Sequence, residues 1–154
     1  MKKNGILIVL FLALSVVLSS CGGSGSASVS GNSPTKIVEK CYDLLMKKDY
    51  EKLAKMYVGE DGKKFTEEDI AKLKALLPMA VKEFEKKGGL NSYKVLSETL
   101  VDLEKSKHYG YNHEYAKVEV NQIFGNGEEE KERIYTIKID GDWFISVMKP
   151  KIDF

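Results

Sequence analysis

The sequence predicts an α+β domain, with N-terminal helices packed on one face of a four-stranded antiparallel sheet. Two observations set this. Apolar residues recur at helical spacing as far as Phe84 and alternate from Leu90 onward, with Gly88-Gly89 standing at the change. Two turn signals, Asn126-Gly127 and Asp140-Gly141-Asp142, then divide the second half into hairpins.

The chain begins outside that domain. Lys2 and Lys3 form a positive segment, residues 6–17 are apolar except for Ser15, and Leu18-Ser19-Ser20 leads to Cys21. This order resembles a bacterial lipoprotein signal, in which the cysteine sulfur takes diacylglycerol and the chain is cut just before it. Residues 1–20 are therefore expected to be a signal peptide. A permanent transmembrane helix would need about 20 apolar residues and usually basic flanks, whereas residues 22–33 carry no charge. One acyl chain binds a membrane reversibly and two or three hold a protein durably, so the lipid on Cys21 is the one attached group expected and no other cofactor is. The location expected is extracytoplasmic, on the cell membrane or the outer membrane.

Residues 21–33 follow as the lipidated cysteine and a Gly/Ser tether, too poor in apolar residues to fold. Residues 34–154 form the domain. Loss of residues 1–20 removes Lys2 and Lys3 and no acid, so 24 basic against 23 acidic residues becomes 22 against 23. A chain so nearly neutral, with Arg133 its one arginine, has no nucleic-acid footprint. Cys21 is committed to lipid, which leaves Cys41 without a disulfide partner.

Ser33-Pro34 reads as a helix N-cap and first turn, followed by an apolar stripe of Ile37, Val38, Cys41, Leu44 and Leu45 with Tyr42 at its edge. Cys41 is expected to be buried and inert in that stripe. Asp49 caps a second helix carrying Tyr50, Leu53, Ala54, Met56 and Tyr57, stopped at Gly59. Thr66 caps a third, with acidic residues in its first turn and Phe65 placed to pack on Ile70. Its stripe runs through Leu73, Leu76, Leu77, Ala80, Val81 and Phe84 to Gly88-Gly89. Pro78 is expected to kink it or split it in two.

The strands expected are residues 93–101, 114–124, 129–139 and 143–148. A two-residue loop at Asn126-Gly127 sets Val120 opposite Arg133, Val118 opposite Tyr135 and Ala116 opposite Ile137. In the second hairpin, a two-residue loop would pair Lys138 with Trp143. A three-residue loop pairs Ile139 with Trp143 and Ile137 with Ile145, which keeps one face apolar. Tyr135, Ile137, Ile139, Trp143, Ile145 and Val147 are then expected to share the helix-facing side with Ala116, Val118 and Val120.

Pro34 opening the first helix, Lys47-Lys48-Asp49-Tyr50 between the first two, Gly88-Gly89 before the sheet and the run from Ile137 through Asp140-Gly141-Asp142-Trp143 to Ile145 together resemble the nuclear-transport-factor-2-like (cystatin-like) family. More narrowly, they resemble small bacterial lipoproteins with that domain. The resemblance implies a cone-shaped curved sheet wrapped by the helices. It implies no single activity, because that fold hosts isomerases, dehydratases, ligand-binding modules and adaptors.

Candidate chemistry is sparse. His108 and His113 lie with Glu114 among Tyr109, Tyr111 and Tyr115, but four closely spaced zinc ligands are lacking in sequence, so an exposed loop is the expected setting. Glu128-Glu129-Glu130 reads as solvated charge. On the expected inner face the polar tips are Tyr135 and Trp143, with Tyr42 opposing them, and these three are the expected pocket lining. The function expected is that of a non-catalytic module binding a small apolar ligand or an envelope protein. A small-molecule isomerase or dehydratase using the same pocket is the alternative, and a carboxylate inside the cone would favour it.

Overall fold

A computed structural model describes residues 29–154. Helix α1 (Pro34–Met46) starts where Ser33 Oγ accepts from the Lys36 amide, and it buries Ile37, Val38, Cys41, Tyr42 and Leu45. Helix α2 (Tyr50–Ala54) is capped by Asp49 and ends before Tyr57, earlier than its apolar pattern suggests. Met56, Tyr57 and Val58 are buried because the chain turns here into a short strand, β1 (Tyr57–Val58), and then a 3-10 turn at Glu60–Gly62.

Helix α3 (Glu67–Glu85) opens with a reciprocal capping box between Thr66 and Asp69. Pro78 lies within it without splitting it. Strand β2 (Leu90–Val101) is followed by a short helix α4 (Leu103–His108), capped by Asp102, in a connection whose sequence shows no helical stripe. Strands β3 (Tyr115–Phe124), β4 (Glu129–Ile139) and β5 (Asp142–Ser146) complete the chain.

The five strands form one sheet in the order β1-β5-β4-β3-β2, antiparallel except where β1 runs parallel to β5. β1, the strand beyond the four expected, has two residues and is too short to signal itself in sequence. Residues 29–31, read as tether, are bound to the domain. The Val29 amide donates to the Lys55 carbonyl at 2.9 Å, and Gly31 exchanges two backbone hydrogen bonds with Trp143.

Both hairpin registers differ by one residue from those expected. Val120 pairs with Glu132, Val118 with Ile134 and Ala116 with Thr136. Lys138 pairs with Trp143 and Ile137 with Phe144. The loop lengths are the reverse of the sequence reading. At the first turn Phe124 and Glu128 close a three-residue loop, with left-handed Gly127 as its last residue. At the second, Asp140 and Gly141 both take positive φ, as a two-residue type I′ turn requires.

A contact with the helical layer forces the first loop. The Gly125 amide donates to the Gly89 carbonyl and the Asn126 amide to the Lys87 carbonyl, each at 2.9 Å. A Cβ on Gly125 would stand 2.2 Å from the Gly88 carbonyl oxygen. Only glycine fits this approach.

The one-residue slip carries every β4 side chain to the opposite face. Ile134, Trp143, Ile145 and Val147 join the helices in the main core, and the burial expected for Trp143 holds. Tyr135, Ile137 and Ile139 turn away. They stay dry because the other face has its own core of Val58, Val101, Tyr115, Ile137, Ile139, Phe144 and Ile152, edged by Tyr111 and Phe154. The rule that one face must be polar misled the register, since this sheet is covered on both sides over much of its length.

Gly125→Ala is expected to cost about 2 kcal/mol or more in chemical denaturation, since backbone must move to admit the methyl group. Gly141→Asn, at a left-handed position with open space around it, should stay within about 1 kcal/mol of wild type.

Candidate interior site

The corrected register brings Glu132 inside the cone, beside Gln122, which continues the inner alternation of Ala116, Val118 and Val120. Gln122 of β3 and Glu132 of β4 both face the helices, 0% and 2% exposed. Gln122 Nε2 donates to the Tyr42 hydroxyl at 2.8 Å, and Tyr42 is itself fully buried on α1. Tyr42 stacks on Tyr93 of β2 with ring centroids 4.7 Å apart, and Tyr93 donates outward to Asp43 at 2.9 Å. Two hydrogen bonds joined by a ring stack thus run from the middle of the sheet to the edge of α1.

The inner end is unfinished. Gln122 Oε1 and both carboxyl oxygens of Glu132 are buried with no hydrogen-bond partner among the protein atoms. Such groups are uncommon, because burying an acceptor without a donor costs about 1–3 kcal/mol and more if it is charged. Burial accordingly pushes the Glu132 carboxyl up to about 7. The neighbouring Glu130 adds to the rise, while the Arg133 amide and guanidinium oppose it. Glu132 therefore changes charge near neutral pH.

Glu130 lies directly across from Gln122 on the same face. One of its oxygens meets Lys87 Nζ at 2.6 Å and the other has no partner. It is half-buried, which corrects its reading as solvated charge. Lys87 also lies over the Phe124 ring at 4.7 Å. Nearby, the Cys41 thiol sits 3.7 Å from the Tyr57 hydroxyl, and burial pushes it up to about 12, as befits an inert core cysteine.

The pocket-lining residues read from sequence separate. Tyr42 and Trp143 face the main core, whereas Tyr135 lies on the opposite face against Phe154, ring centroids 5.4 Å apart. Cys21 lies outside the described residues. His108 and His113 do not converge. His108 is exposed, its Nδ1 2.9 Å from the Glu104 carbonyl, and His113 Nδ1 is 3.2 Å from the Lys138 carbonyl. Glu114 holds Lys138 at 3.2 Å. Among the described residues no group of three His, Cys, Asp or Glu is placed to hold a metal ion.

Glu132 escaped the sequence reading because counting apolar residues on β4 favours the face of Tyr135, Ile137 and Ile139. Gln122 was legible, since it continues the alternation of Ala116, Val118 and Val120 on β3. The three-residue loop that turns Glu132 inward rests on the contact of Gly125 with Gly88, which is distant in sequence.

No protein-family model matches the chain, and neither does any curated protein sequence. Among solved structures it is similar to the crystal structure of an NTF2-like protein from Campylobacter jejuni, provisionally named a transpeptidase. The TM-score is 0.55 at 14% sequence identity, over 75% of this chain and 98% of that one. Helices on a curved five-stranded sheet, matched along nearly the full length of that protein, give this chain the nuclear-transport-factor-2-like fold.

Proposed function

We propose that the protein is an extracytoplasmic lipoprotein, held to a membrane by acyl chains on Cys21, whose cone binds a small and largely apolar molecule without transforming it. The observation that carries the binding reading is the buried, unpartnered pair Gln122 and Glu132. A core built for stability alone is better served by apolar residues of similar volume, so partnerless acceptors at its centre point to a use outside folding. Apolar walls with a few converging polar groups are the usual make-up of a small-molecule site. The anchor reading rests on the sequence of residues 1–33.

One observation favours the alternative, a small-molecule isomerase or dehydratase. A carboxyl that titrates near 7 can both accept and donate a proton at neutral pH. Glu132 would be its acid-base group.

Native mass spectrometry of the protein extracted from its own membranes is expected to show a small-molecule adduct that is lost on unfolding and absent from Glu132→Leu. A wild type carrying only its covalent lipid would count against the binding reading. Cys21→Ala should abolish incorporation of radiolabelled fatty acid and leave the precursor uncut, and continued labelling would remove the anchor. The Glu132 titration has a stability signature of its own. Raised from the ordinary 4.5 to about 7, the group leaves the folded state more protonated than the unfolded one in that window. Stability should therefore fall as pH rises through it, by up to about 3 kcal/mol. Denaturation curves at pH 5 and 7.5 should show a smaller drop in Glu132→Gln.

A further inference from the structure

We infer that the ligand of the interior site is a primary ammonium on an apolar, aromatic-sized stem; this deepens the binding reading above and rests on it. The chemistry follows from an imbalance of donors. The unpartnered buried atoms on this part of the inner face are Gln122 Oε1, Glu130 Oε2, and Glu132 Oε1 and Oε2, and once Glu132 is ionised every one is an acceptor. The register sets them together. Gln122 stands directly opposite Glu130, and Glu132 is the next residue along β4 on the same side.

The donors close by are too few. Gln122 Nε2 serves Tyr42 at 2.8 Å, Lys87 serves the other Glu130 oxygen at 2.6 Å, and the Tyr42 hydroxyl can give these acceptors one O–H. Lys87 offsets Glu130, which leaves Glu132 as the carboxylate of this cluster without a cation.

A ligand completing the cluster must bring several N–H donors from one point and a single positive charge. A primary ammonium carries three donors and one charge, whereas an alcohol brings one donor and no charge and a quaternary ammonium brings charge without donors. The surroundings suit the rest of such a molecule. Tyr42 is stacked on Tyr93, and Phe84 lies 5.5 Å from Phe124, so apolar area and the faces of aromatic rings lie beside the acceptors. Glu132 is 2% exposed, so the ligand enters by displacing side chains that cover it.

The test is calorimetric titration of the full-length protein in non-ionic detergent at pH 8, with detergent alone as control. The probes are phenethylamine, 2-phenylethanol and phenyltrimethylammonium. Phenethylamine is expected to bind at least tenfold tighter than either of the others. Glu132→Gln, with its fold verified by circular dichroism, should lower the amine's affinity at least tenfold and the alcohol's by a much smaller factor.

Should that variant not fold, wild type carries the test alone. Amine affinity should rise about tenfold from pH 6 to pH 8 as Glu132 ionises, while the alcohol's stays flat. If the alcohol binds as tightly as the amine, or amine affinity ignores both Glu132 and pH, the ammonium inference fails and the small-molecule reading stands. If none of the three probes binds, the ammonium inference fails, and a native adduct seen by mass spectrometry would then have to be uncharged or anionic.

Discussion

The close approach of Gly88 to the turn at Gly125 fixes more of this structure than any other contact. Two backbone hydrogen bonds fasten the end of the helical layer to the tip of the central hairpin, at a separation that leaves no room for a side chain. That contact takes Gly125 into the loop and makes the loop three residues long. The loop length sets which β4 residues meet which β3 residues. The place of Glu132 in the interior then follows, since the same strand in the neighbouring register would present Arg133 and Tyr135 to the helices in place of Glu132 and Ile134.

Much of the fold was legible because its signals are local. Ser33, Asp49 and Thr66 cap the three helices they were expected to cap, and Asn126-Gly127 and Asp140-Gly141 sit at the two hairpin turns. What was not legible depends on contacts distant in sequence. Alternation along β4 suggested one apolar face, but Ile137 and Ile139 belong to a second core assembled from Val58, Val101, Tyr115, Phe144 and Ile152. No single window shows that second layer. Of the three residues read as pocket lining, Tyr42 and Trp143 lie inside and Tyr135 outside, and Gln122 and Glu132 were not among them.

The interior combines two kinds of order. Its apolar residues pack with little need for mutual orientation beyond shape, while the stack of Tyr93 on Tyr42 and the hydrogen bond from Gln122 to Tyr42 are directional and join three elements, β2, α1 and β3. A buried hydrogen bond such as Gln122 to Tyr42 adds modestly to net stability but penalises a misplaced helix, because breaking it leaves polar atoms dry. The same hydrogen bond holds Gln122 with its carbonyl oxygen free to meet another group. Packing thus supplies the cone, and these directional contacts fix how α1 sits within it.

The binding of residues 29–31 to the domain has a mechanical side. Any load applied at the N-terminus reaches the folded body first through three backbone hydrogen bonds, one at Lys55 and two at Trp143. The two at Trp143 lie on the edge of β5, which β1 occupies further along, and the one at Lys55 lies at the end of α2, so none is in the interior of the sheet. Tension would peel this segment from the edge before straining the cone, so the first residues of the domain act as a fuse between whatever pulls on the chain and the core that Trp143 helps to close.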